Sequence, residues 1–166
     1  MSIIQQRHWV QALQWEINRY NWDCFGTGTF SKQRTKPEAR KLVEQYWQEL
    51  EERLQSPLPR FWVLEPHQYR ATPHLHFLVA SIDNIEEDVH EILWRYWRKV
   101  SSAGRFASDE YDANRGGSGY LVKYLWKDVV DWDVANLDKV STFEKENSLL
   151  SRDRIEAMLR KEVERV

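Results

Sequence analysis

Residues 61–80 read FWVLEPHQYRATPHLHFLVA. Two apolar runs, 61–67 and 74–80, flank a polar stretch, 68–73, that carries turn-forming residues. Runs rich in Val, Leu and Phe on either side of such a stretch predict a β-hairpin. Side chains alternate across a strand, so His74 and His76 share one face and Leu75 takes the other. Glu65 and His67 share a face of the first strand by the same rule. If Glu65 pairs with His76, then His67 lies opposite His74, and directly opposed residues point the same way. One face would then carry His67, His74, His76 and Glu65, while Leu64, Leu75 and Phe77 face a core. A lone strand histidine is ordinarily solvated or satisfied by a neighbour. Two with a glutamate are costly to bury unpaired. Imidazole and carboxylate together suit a divalent metal with positions left open for substrate.

The flanking sequence supplies helices and further strands. Over residues 3–20, Trp9, Leu13, Ile17 and Tyr20 form one apolar stripe, which predicts a helix. Residues 23–31, DCFGTGTFS, read as a strand in which Gly26 and Gly28 mark either a bulge or the close approach of a backbone or ligand. Thr35-Lys36-Pro37-Glu38 is a capping box with proline in the first turn. The helix it opens carries Ala39, Leu42, Val43, Tyr46, Trp47, Leu50 and Leu54 on one face, and Pro57 and Pro59 stop it. Residues 83–100 predict a second amphipathic helix, opened by Asp83 and Glu86, with Val89, Ile92, Leu93, Tyr96, Trp97 and Val100 buried. His90 falls off that stripe and is expected in solvent. Residues 104–111 suit an edge strand. The order strand, helix, strand, strand, helix, strand is the split βαβ of an α+β, ferredoxin-like antiparallel sheet. Both helices would bury their stripes on one face, leaving the other free for a site. Residues 131–150 read as a linker or loose extension, and residues 151–166 as a charged helix with a thin stripe of Ile155, Leu159 and Val163.

Composition narrows the function classes. The chain has 166 residues, enough for a domain with a core, and a formal net charge of −2. It thus lacks the strongly basic balance of a general nucleic-acid coat, although a local basic groove is compatible with it. The single cysteine, Cys24, has no intrachain disulfide partner, fits a reducing compartment and is expected to be buried. The sequence contains no membrane-spanning run and no signal-peptide pattern, so an intracellular, cytoplasmic location is expected. Most of the nine tryptophans are expected in the core, with a few able to stack on bases.

The second chemical stretch is NRGGSGYLVKYLWK, residues 114–127. Ser118 can cap a helix on which Tyr120 and Tyr124 are four apart, as are Lys123 and Lys127. Such a stripe also fits simple packing, with tyrosines half buried and lysines in water. A phenol of ordinary pKa, about 10, is a poor nucleophile at neutral pH unless a metal or a nearby lysine assists.

Together these stretches resemble the HUH endonucleases. PHLHFLV is similar to their His-hydrophobic-His signature. YLVKYLWK is similar to the two-tyrosine motif (YxxKYxxK) of rolling-circle replication initiators of the Rep type. FGTGTF resembles their first motif, although Gly28 stands where a bulkier apolar residue is usual. The resemblance spans roughly residues 23–128 and implies an RRM-like sheet. It further implies that His74, His76 and Glu65 bind Mg²⁺ or Mn²⁺. Tyr120 would attack the scissile phosphate to leave a 5′-phosphotyrosine and a free 3′-hydroxyl, and Tyr124 would act in the later strand transfer. Lys123 would orient the phenol or screen the phosphate. His67, outside the usual ligand set, and Lys127 would touch substrate or steady a ligand. The endonuclease domain would cover residues 1–130, including the helix 3–20, and a C-terminal extension would cover 131–166. The implied partner is single-stranded DNA at a replication origin of a plasmid or virus. The chain has no P-loop, so duplex opening would fall to supercoiling or a separate host helicase. The oligomeric state stays open. The competing readings are a single-tyrosine HUH transposase, against which the paired tyrosines argue, a metal-dependent phosphoesterase using water, and a non-catalytic RRM-like nucleic-acid binder with Phe61 or Trp62 as stacking platforms.

Overall fold

A computed structural model of the chain describes residues 3–66, 72–82, 85–115 and 131–140. In chain order the elements are α1 (Ile3–Asn18), β1 (Cys24–Gly28), α2 (Lys36–Leu54), β2 (Arg60–Glu65), β3 (His74–Val79), α3 (Val89–Val100), β4 (Phe106–Glu110) and β5 (Asp131–Ala135). The strands form one sheet in the order β4-β1-β3-β2-β5, and all neighbours are antiparallel. Its first four strands interleave two βαβ halves, which is the expected ferredoxin-like, RRM-like arrangement. Among the described residues no helix is long and apolar enough to cross a membrane. The expected helix over 151–166 lies outside the described residues.

One face of the sheet is closed by α2 and α3. Ala39, Val43, Tyr46, Trp47 and Leu50 of α2 and Ile92, Leu93, Trp97 and Val100 of α3 pack with Trp62, Leu64, Leu75, Phe77 and Val79. The Tyr46 ring meets Trp97 edge-on at 5.2 Å, and Trp47 meets Phe77 in the same way at 5.2 Å. Gly26 and Gly28 point into this layer. A Cβ on Gly26 would sit 2.1 Å from the Phe77 ring, and one on Gly28 would sit 2.5 Å from the Trp97 indole. These glycines therefore mark neither a bulge nor a ligand. They leave room for two aromatic rings, and Trp97 occupies the space that a larger residue at position 28 would take. Its indole Nε1 also donates to the Thr29 carbonyl at 3.0 Å.

Local chemistry sets the helix ends. Thr35 caps α2 and shares a reciprocal capping box with Glu38. For α3 the start differs from expectation. It begins at Val89 because Asp88 accepts from the amides of His90 and Glu91 at 2.9 and 3.3 Å, satisfying two free donors at that point. Asp83, expected to open this helix, lies outside the described residues. His90 is only half exposed, and its Nδ1 lies 2.8 Å from the Ser108 hydroxyl of β4, so it is not the solvated side chain expected.

The other face is not free. Leu13 and Ile17 of α1, with Tyr20 and Trp22, bury Phe61, Val63, Leu78, Trp132 and Val134. The side chain of Trp9 lies outside the described set. Complete burial of an aliphatic side chain such as Leu13 contributes roughly 1.5–3 kcal/mol, which is why α1 is held on the sheet. Of the tryptophans, Trp22, Trp47, Trp62, Trp97 and Trp132 are buried, whereas Trp15 and Trp94 are exposed beneath Arg19 and Arg98.

Residues 131–140, expected as linker, instead add an edge strand and a short 3₁₀ turn. Trp132 and Val134 point to the α1 side. Asp131 and Asp133 point the other way, where Arg40 of α2 holds both at 2.6 and 3.0 Å. The Arg40 guanidinium lies 5.3 Å from the Trp62 ring centroid. Just beyond β5, the Asn136 amide donates to Glu51 at 2.7 Å, and the same carboxylate oxygen accepts from Arg60 at 2.7 Å and from the Leu58 amide at 2.8 Å.

Candidate metal centre

The metal-ligating residues converge where β2 ends and β3 begins. In the observed register Glu65 pairs with His74 and Val63 pairs with His76. The expected pairing of Glu65 with His76 is therefore displaced by two residues. Because faces repeat every two residues, this displacement keeps Glu65, His74 and His76 on one face. It removes the expected opposition of His67 and His74. Strand β2 stops at Glu65, and Pro66, which lacks an N–H, follows it. His67 itself lies outside the described residues.

Leu64 and Leu75, which flank the site residues in sequence, are anchored in the α2/α3 layer. That burial fixes Glu65 and His74 in adjacent positions at the open end of the opposite face. His76, one pleat further in, reaches diagonally to the carboxylate. Its Nε2 and Glu65 Oε2 are 2.7 Å apart, with the His76 side chain 7% and the Glu65 side chain 22% exposed. One ligand atom from each of Glu65, His74 and His76 lies within 4.8 Å of the others. Val63, buried opposite His76, separates the cluster from the α1 core. The apolar layer thus ends where the polar cluster begins.

Two imidazoles and one carboxylate provide two neutral nitrogen donors and an anionic oxygen. Donors around one small divalent cation at ~2.1 Å stand about 3 Å apart when at right angles. The observed spacing is close to this, and the half-exposed rim leaves room for further ligands. The donor set and its spacing fit a divalent metal.

Thr27 was not singled out by sequence, yet β1 pairs it with His76 and gives it the same face. It is half-buried and is followed across the sheet by exposed Ala107 of β4. Its signal was the alternation of FGTGT, in which both glycines take the packed face and the threonine between them must take the other. Tyr120, Lys123, Tyr124 and Lys127 lie outside the described residues. The strand after them is placed: Asp131 pairs with Leu64, immediately before Glu65.

No curated protein and no solved structure matches the chain. The family model for replication-associated proteins of the ORF2 type matches residues 23–129, well over half of the sequence and all four central strands. The chain belongs to this replication-associated protein family.

Proposed function

We propose that the protein initiates replication by nicking single-stranded origin DNA through a tyrosine, in the manner of a two-tyrosine HUH endonuclease. The observation that carries this reading is the meeting of Glu65, His74 and His76 within 4.8 Å in a chain of a replication-associated family. Those three residues would hold Mg²⁺ or Mn²⁺, which when bound supplies positive charge beside a scissile phosphodiester.

The chain's own residues do the rest. The Tyr120 hydroxyl loses its proton and its oxygen attacks phosphorus. A tyrosine–phosphate bond forms, the bond from phosphorus to the 3′-oxygen breaks, and that oxygen leaves as a 3′-hydroxyl after taking a proton. Lys123 lowers the cost of the phenolate by its charge. The reverse reaction rejoins strands, with Tyr124 available for the second transfer. Position supports this assignment, since the strand that follows the tyrosine segment returns beside Glu65.

The test is incubation with single-stranded DNA bearing the replicon's own origin and Mn²⁺, followed by a denaturing gel. A covalent adduct that is lost in Tyr120→Phe and kept in Tyr124→Phe is expected. An adduct mapped to Tyr124 in the first cleavage would reverse the tyrosine order. An adduct on neither would remove the mechanism.

A further inference from the structure

We propose that the loop of residues 29–36 is a phosphate-binding site that grips the substrate strand beside the Glu65–His74–His76 cluster, with Arg34 as its central cation. This rests on the reading that the substrate is single-stranded DNA. Strand β1 ends at Gly28, opposite Leu75, so the loop leaves the sheet at the end that carries His74. It is pinned at three points. The Thr29 amide donates to the Arg105 carbonyl at 2.8 Å, and the Arg105 amide donates to Thr29 Oγ1 at 3.0 Å. The Ser31 hydroxyl donates to the Ser101 carbonyl at 3.1 Å. The Arg34 amide donates to Thr72 Oγ1 at 3.1 Å, two residues before His74. Gly104 permits the first of these contacts, because a Cβ there would fall 1.7 Å from the Thr29 carbonyl oxygen.

The side chains set out by these pins are Lys32, Arg34 and Lys36, with Arg105 alongside. Lys32, Lys36 and Arg105 are exposed and Arg34 is half-buried. None of the four forms an ion pair among the described residues, whereas Arg40, Arg53, Arg60, Arg95 and Lys99 each hold a carboxylate. The Nε of Arg34 is buried and has no acceptor among the described residues. A buried donor left in that state is costly, and a phosphate oxygen would relieve it while the guanidinium takes a second oxygen. The nearby Glu38 does not serve, because its carboxylate is turned back to the Thr35 amide and hydroxyl at 2.8 Å each. In a chain of net charge −2 this is a local concentration of positive charge next to the chemistry.

The test is fluorescence anisotropy of a labelled oligothymidylate in EDTA, read across a salt series and independent of any cleavage. Each lost phosphate contact should lower the slope of log affinity against log salt by about 0.7 and weaken binding about five-fold near 0.1 M salt. Arg34→Gln should do this, and combining it with Lys32→Gln and Lys36→Gln should lower the slope by about 2. The Arg34 backbone, not its side chain, holds Thr72, so the substitution leaves the loop pinned. Arg34→Lys should recover part of the affinity. Arg53→Gln removes equal charge at the far end of α2, about 28 Å away at ~1.5 Å per residue, and should change neither quantity. A triple variant that binds as the wild type does, or an Arg53→Gln loss equal to that of Arg34→Gln, would overturn the proposal. If Arg34→Gln weakens binding while the wild type makes no covalent adduct with origin DNA, the loop stands and the nicking reading falls. Adduct formation with unaltered binding by the loop variants gives the reverse.

Discussion

The two faces of the sheet are built from the same strands and are used differently. Against α2 and α3 every strand contributes to a continuous aromatic and aliphatic layer, dense enough that two glycines are needed to fit Phe77 and Trp97. Against α1 the apolar layer stops at Val63 and Trp132, and a carboxylate and two imidazoles occupy what remains. The sealed face carries much of the stability that lets the other face hold polar groups close together. Substitutions on the two faces should therefore separate stability from activity.

The largest effect on stability is expected from Trp97→Ala. Its side chain is fully buried, and truncating such an aromatic costs ~3–5 kcal/mol. Urea unfolding should show a midpoint shifted by that amount, or no folded population at all. A loss below about 1 kcal/mol would mean that this layer does not carry the fold.

On the opposite face, His76→Ala should do the reverse. It removes one hydrogen bond at a half-exposed carboxylate, worth about 1 kcal/mol of stability. Nicking should fall by ~10²-fold or more, because the charge placed at the phosphate is worth several kcal/mol. Isothermal titration with Mn²⁺ should show the matching loss of binding. Full cleavage by a His74→Ala, His76→Ala double variant in Mn²⁺ would remove the site. His67→Ala should cost less activity than His76→Ala, and an equal loss of metal affinity would make His67 a ligand.

A smaller effect sharpens the boundary between the faces. Arg40 ties β5 to α2 through Asp131 and Asp133, both partly exposed, so Arg40→Ala should cost about 1–2 kcal/mol. Hydrogen exchange should rise in 131–135 before it rises in β3. Uniform loosening of the whole sheet would show β5 to be integral to its stability rather than an attached edge.

How far these differences could be read from sequence depended on how local their causes were. The α2 start was legible because Thr35 and Glu38 are three residues apart and bond to each other. The shared face of His74 and His76 was legible because it follows from the pleat alone. The register was not, since a slide of two residues leaves every face unchanged and only the arrest of β2 before Pro66 distinguishes the alternatives. Strand β5 was hidden for another reason. DWDVA alternates as a strand should, but aspartate disfavours strands, and its compensation comes from Arg40, some ninety residues earlier. The covering of the second face by α1 was equally non-local: the stripe was visible, but not the surface it would meet. Gly26 and Gly28 were read as breaks because the rings that fill their space come from β3 and α3.

The last prediction uses Cys24 to ask how completely the packed face is sealed. The thiol is fully buried beneath α2 and α3, and burial, reinforced by the charge of Asp109, pushes its pKa up to about 12 from 9.0. A thiolate is the reactive form. At pH 8 the folded protein should therefore react with a thiol reagent only as fast as it opens, and fully once urea unfolds it. The sign of the linkage follows. Below pH 9 the thiol is protonated in both states and folding is indifferent to pH on its account. Between about 9 and 12 the unfolded chain ionises while the folded chain does not, so stability should fall as pH rises through that window. Cys24→Ala removes the ionisable group at nearly constant packing, so its stability should fall less across the same window. Rapid labelling at pH 8, at a rate independent of urea, would show that solvent reaches this face as readily as it reaches His74 on the other.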